Sequence, residues 1–102
     1  MTDNNQKNKI ADLTVVILTY NEEKHIERCI LSIKDFVKKI IVIDSNSNDK
    51  TLEICKKYNV EVFQKKFINL ADKLNWALEN AKIDTHWILR LDADEILEKS
   101  SA

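Results

Sequence analysis

A chain of 102 residues is long enough for one small domain with a single core, and too short for two. Its 16 basic and 17 acidic side chains nearly cancel, which excludes a global field that would draw nucleic acid, so a charged partner has to be recognised locally. The longest aliphatic runs, Val15 to Leu18 and Ile40 to Ile43, fall far below the roughly 20 residues that span a bilayer.

Residues 1–12 are polar, lack the apolar stretch of a secretory signal and read as a lead-in, leaving 13–102 as the domain. From there apolar runs alternate with helical periods, the pattern of βαβ units in an α/β fold with a mostly parallel sheet. The first strand is expected at Thr14 to Leu18. It feeds the loop Thr19-Tyr20-Asn21-Glu22 and a helix whose Ile26, Cys29, Ile30 and Ile33 fall on one face. A second strand, Ile40 to Ile43, ends at Asp44. The turn Ser45-Asn46-Ser47-Asn48-Asp49 then leads to a helix from Thr51 to about Tyr58, with Asp49 as its expected N-cap. The third strand is placed at Val60 to Gln64. A third helix, about Leu70 to Ala81, aligns Leu70, Leu74, Ala77, Leu78 and Ala81, and the fourth strand runs from about His86 to Leu91.

The sequence contains no glycine and no proline, so its turns must rely on Asn, Asp and Ser, of which Asn best tolerates left-handed backbone. Cys29 and Cys55 have no CxxC partner and read as reduced, packed thiols. His25 and His86 lack ligand companions. Trp76 and Trp87 are expected to anchor the third helix to the fourth strand. The lysine pairs 38–39, 56–57 and 65–66 read as solvated element ends, with anionic headgroups as the other use of such pairs.

Asp92-Ala93-Asp94-Glu95 closes the fourth strand. Residues two apart in extended backbone point to one side, so Asp92 and Asp94 can converge on one hard cation. In open parallel sheets, ligands bind outside the carboxyl ends of the strands. Thr19 to Glu22, Asp44 to Asp49 and Asp92 to Glu95 should therefore meet along one rim. A phospho-acceptor receiver, with Asp44 modified, is disfavoured because Thr19-Tyr20-Asn21 stands where it needs an acidic pair.

Four stretches carry a more specific likeness: Val15-Val16-Ile17-Leu18-Thr19-Tyr20-Asn21-Glu22, the run from Ile41 through Asp44-Ser45-Asn46-Ser47 to Thr51, Asn75-Trp76-Ala77-Leu78, and Leu91-Asp92-Ala93-Asp94-Glu95. In their order and spacing they resemble the N-terminal half of a family 2 glycosyltransferase with the GT-A fold, a three-layer, Rossmann-like sheet flanked by helices and cut short after the D-x-D strand. The resemblance implies inverting, nucleotide-sugar-dependent hexosyl transfer to a saccharide or lipid-linked acceptor. UDP-sugar is the favoured donor. It also implies that Thr19 and Tyr20, with Asn21 and Glu22, pack around the base, that Asp44 and Ser45 hold base or ribose, and that Asp92 contacts ribose or metal. Asp94 then ligates Mg2+ or Mn2+ on the diphosphate.

Several positions depart from that pattern. Ser45 stands where many members have a second acid, an Asp-Ser version that looks like the lipopolysaccharide core subgroup. Leu74 occupies a usual Arg or Lys position, so Lys73 would have to substitute from about 100° around the helix. The acceptor half and general base of the family lie after the D-x-D strand, and Glu95 and Glu98 are the nearby spare carboxylates here. The resemblance thus implies a cytoplasmic donor-binding half, placed at the inner face of the membrane and prone to self-association through its uncovered sheet. The alternative is a non-enzymatic nucleotide-binding fragment that associates with another chain.

Overall fold

The computed structural model describes residues 10–94. Four strands, β1 (Ala11–Thr19), β2 (Val37–Asp44), β3 (Glu61–Gln64) and β4 (Trp87–Asp92), alternate with helices α1 (Ile26–Ile33), α2 (Thr51–Cys55) and α3 (Leu70–Asn80). All strand pairs are parallel and the order is β3-β2-β1-β4. The expected α/β architecture is present. Steps β1 to β3 run one way across the sheet, and the chain then returns past β1 to lay down β4. The direction of winding therefore reverses between β1 and β4, where open α/β sheets leave a crevice.

Alternation along the strands divides the core between the two faces of the sheet. Val15, Ile17 and Val42 pack with Ile26, Cys29, Ile30 and Ile33 of α1 and Cys55 of α2. Val16, Leu18, Ile41 and Ile43 face the other way, onto Ala77 and Ala81, with Leu74 and Trp76 half-buried beside them. β1 and β2 are buried on both faces, which is why they read as unbroken aliphatic runs. Register then levels the carboxyl ends, pairing Thr19 with Asp44, Asp44 with Gln64 and Leu18 with Asp92.

Several local expectations are corrected. α2 stops at Cys55 because the Lys57 and Tyr58 amides tighten to Ile54 and Cys55 carbonyls, i to i+3 bonds that close the last turn. Its N-cap by backbone geometry is Lys50, while Asp49, one residue earlier, accepts from Thr51 N at 2.9 Å and Thr51 Oγ1 at 2.5 Å. On α3 the buried stripe is Lys73, Ala77 and the following Ala81, and Leu70 and Leu78 are exposed. The pattern misled because a lysine sits at the centre of the inward face.

Trp87 is 66 % exposed on the edge strand and stacks edge-on with His86. Trp76 packs on Phe63 of β3, with centroids 5.6 Å apart, so neither indole links α3 to β4. Cys29 and Cys55 are buried thiols outside any disulfide, as expected. Lys38, Lys39, Lys57 and Lys65 each lie within 3.6 Å of a carboxylate; Lys38 and Lys57 are solvated as expected, while Lys39 and Lys65 are half-buried. No helix among the described residues is long and apolar enough to cross a membrane.

Candidate functional site

Two loops leave the carboxyl ends of β1 and β2 and zip together. Asn21 N donates to Ser47 Oγ at 2.8 Å, and Asn48 N returns a bond to Asn21 Oδ1 at 2.9 Å. Further on, Glu22 N donates to Thr51 Oγ1, Glu23 N to Asp49, and Lys50 N to Glu23. Asn21 (φ 51°) and Asn46 (φ 57°) take the left-handed conformation that glycine usually supplies, so asparagine solves the turns of a glycine-free chain.

Asp44 is the hub beneath these loops. Its Oδ1 accepts from Thr19 Oγ1 at 2.6 Å and Ser47 Oγ at 2.5 Å, and Oδ2 accepts from Ser47 N at 2.7 Å. The carboxylate is completely buried, with both oxygens committed to the loops. Burial, together with the charge of Asp44, pushes the Cys55 thiol up to about 11.

A crevice of about 520 Å³ opens above this hub at the reversal point between β1 and β4. Thr19, Tyr20 and Glu22 enter it from β1, Ser45 from β2, Lys73 from α3, and Asp92 and Asp94 from β4. Seven of the nine candidate positions thus meet in one cavity. Asn21 and Asp44 do not line it and instead shape its wall. Glu22 Oε1 also accepts from His25 Nδ1 at 3.0 Å, which brings that histidine one contact from the crevice.

Lys73 is 4 % exposed, and its ammonium donates to Ser45 Oγ at 2.6 Å and Thr19 O at 3.3 Å. Burial lowers its pKa from the ordinary lysine value, against the opposing pull of Asp44 and Asp92. The same ammonium lies 5.8 Å from the centre of the Phe67 ring. Phe67, Leu70 and Leu18 also line the cavity, and sequence reasoning missed all three. The exposed apolar pair Phe67-Ile68, in the loop leaving the carboxyl end of β3, was the available signal.

At the β4 exit, Leu91 and Ala93 are buried while Asp92, the last residue of the strand, and Asp94, in the turn that follows it, are exposed, and both acids line the crevice. Asp92 Oδ1 accepts from Arg90 Nη1 at 2.9 Å. Among the described residues, no three His, Cys, Asp or Glu groups converge as a metal cage. Two hard oxygen donors on an open crevice still suit Mg2+ or Mn2+, because Mg2+ typically takes one or two carboxylates and completes its shell with water and substrate phosphates. Glu95 and Glu98 lie outside the described residues.

A doubly wound sheet with paired acids and a buried cation around a crevice at the reversal point defines the class of open α/β domains that take a ligand at the carboxyl ends of their strands. Residues 14–101 match the model of Glycosyl transferase family 2, and the chain belongs to that family. It is 38 % identical over 87 residues to an uncharacterized glycosyltransferase of Rickettsia bellii, covering 85 % of this chain and 29 % of that protein. It is 35 % identical over 99 residues to the SPbeta prophage-derived glycosyltransferase SunS of Bacillus subtilis, covering 94 % and 23 %.

Among solved structures, S. aureus TarS 1-349 in complex with UDP aligns with a TM-score of 0.66 at 27 % identity, over 85 % of this chain and 28 % of that one. Mannosyl-3-phosphoglycerate synthase from Rubrobacter xylanophilus aligns at 0.71 with 19 % identity, over 86 % and 32 %, a likeness of fold. The fold is therefore GT-A. The chain spans less than a third of the length of each of these proteins.

Proposed function

We propose that this chain is the donor-binding part of a family 2 glycosyltransferase, holding a nucleoside diphosphate sugar, with UDP-sugar as the donor, in the crevice between β1 and β4. The observation that carries the reading is the convergence of Asp92 and Asp94 with Thr19, Tyr20, Ser45 and Lys73 in one cavity. The likeness to TarS, whose structure contains UDP, supports it.

In this reading Asp94, with Asp92, holds Mg2+ or Mn2+, which when bound neutralises charge on the departing diphosphate. Tyr20 packs against the base, and Lys73 adds fixed positive charge to the cavity floor. Asp44, through Thr19 and Ser47, keeps the two loops in place. Transfer is proposed as direct displacement with inversion. The acceptor oxygen bonds to the anomeric carbon as the bond to the diphosphate breaks, and the hydroxyl proton passes to a base not assigned among the described residues. The acceptor is proposed as an envelope saccharide of the lipopolysaccharide-core kind, and the compartment as the cytoplasm at the inner face of the membrane.

Calorimetry of the chain with UDP and Mn2+ tests the donor site. Binding that falls at least tenfold in Asp94→Asn is expected. Absence of any heat at millimolar UDP with Mn2+ overturns the reading. A sugar-transfer assay beside it separates an enzyme from a fragment that only binds, since turnover defeats the second description.

A further inference from the structure

Of the lysines among the described residues, Lys73 alone is buried, and it nevertheless forms part of the crevice wall. An ammonium carries three N–H groups. One donates to Ser45 Oγ at 2.6 Å and one to Thr19 O at 3.3 Å, which ties the head group to the strand ends. The third has no acceptor among the described residues and is left to the crevice, beside the Phe67 ring. Loss of that third proton leaves a lone pair facing the cavity while the other two bonds stay in place. Burial favours the loss, since it lowers the Lys73 pKa against the pull of Asp44 and Asp92. A desolvated amine held with its lone pair towards open space is the form in which lysine acts as a nucleophile. Surface lysines such as Lys38 and Lys57 are solvated, and share neither the burial nor the cavity.

We propose that Lys73 is a covalent modification site, acylated by small acyl phosphates that enter the crevice, and that the acyl group switches donor binding off; the switch rests on the donor-site reading above. The step needs no further reactant. The Nζ lone pair attacks the acyl carbon, the bond from that carbon to the phosphate oxygen breaks, phosphate departs with the electron pair, and the nitrogen sheds its proton to water. An acyl phosphate suits the site because it is compact against a cavity of about 520 Å³ and because its phosphate is the kind of group the crevice is read to hold. The product is a neutral amide, so the cavity floor loses its buried positive charge. The acyl group also fills space that a nucleotide needs.

The test is peptide mapping by mass spectrometry after the full chain is incubated with acetyl phosphate, native and in urea. Calorimetry of the acetylated protein with UDP and Mn2+ follows. In the native chain Lys73 should acetylate about tenfold faster than the exposed Lys38, Lys57 and Lys66, and the preference should vanish in urea, because burial rather than local sequence creates it. UDP affinity should then fall by about tenfold or more, the scale of a lost hydrogen bond to a charged group. Lys73→Arg taken through the same treatment should keep the affinity it starts with. Equal native rates at Lys73 and Lys66 overturn the modification site, as does a preference that survives urea, and both leave the donor-site reading standing. Selective acetylation with UDP affinity unchanged, or an equal loss in treated Lys73→Arg, overturns the switch. Absence of UDP binding before acetylation overturns the donor-site reading and the switch with it, and selective acetylation of Lys73 in that case still upholds the modification site.

Discussion

Replacing Lys73 with methionine should raise the melting temperature of this domain while weakening its hold on a nucleotide. The ammonium is buried, and burial lowers its pKa despite the attraction of Asp44 and Asp92. A base with a depressed folded-state pKa binds fewer protons folded than unfolded. Stability therefore climbs as pH rises from the folded value to the ordinary 10.5, and the burial cost is fully present below that window. Methionine keeps the stem and discards the charge. The deletion orphans no buried group, because Thr19 O retains the Ser45 amide at 2.9 Å and Ser45 Oγ faces the open crevice. A gain of about 1 kcal/mol is expected, the usual scale when a functional polar residue gives way to an apolar one. For a domain this size that is roughly 4–8 °C. Circular dichroism melts at pH 7 and pH 10 read it directly, with the advantage of the variant shrinking at the higher pH. A Lys73→Met protein that melts below the parent at pH 7 refutes the reasoning, because the lysine would then be a net stabiliser.

Asn46 and Asn21 share a left-handed backbone but differ in their bonds, since Asn21 Oδ1 accepts from Asn48 N. Asn46→Gly should therefore be more stable than Asn21→Gly by about 1 kcal/mol in urea titrations. An inverted order contradicts the zipper between the loops. Tyr58 donates to Glu27, and that bond, with Lys57, holds the Glu27 carboxyl below its ordinary 4.5. A depressed acid contributes stability above 4.5 that is lost as pH falls through its folded value, so Tyr58→Phe should flatten the acid limb of a melting-temperature profile below that pH. Cys55, buried with its thiol raised to about 11, should resist an aromatic disulfide reagent in the native protein and react at once in denaturant. Rapid native labelling of both cysteines would show that the core opens.

The strands were legible because burial on both faces leaves an unmistakable run. Val15 to Leu18 and Ile40 to Ile43 are the interiors of β1 and β2, and the structure extends each at its ends, through Ala11 and Thr19 and through Val37 and Asp44. Edge position hides the same information in β4. Trp87 and Ile88 are exposed there, and the indole expected in the core lies on the surface because no strand among the described residues covers that side of β4. α3 was misread by a small rotation. Its inward face is defined by alanines and a lysine, residues whose burial depends on close approach to the sheet and on partners in other loops.

The site divides along a similar line. Its rim could be placed from topology alone, since parallel strands must deliver Thr19, Ser45 and Asp92 to one edge, and all three reach the crevice. What chain order cannot show is which polar atoms are already satisfied. Asp44 is a strand-end acid like Asp92, yet its two oxygens are consumed by Thr19 and Ser47 while Asp92 opens to the cavity. The difference follows from side-chain alternation: Asp44 points to the face where the neighbouring hydroxyls lie. Lys73 is the complementary case. The residue after it, Leu74, packs half-buried against the sheet core on the opposite face from Asp44, and Lys73 beside it reaches the crevice. A charge displaced by one residue along a helix can still reach its site, provided the loop opposite supplies acceptors, and here Ser45 Oγ and Thr19 O supply them.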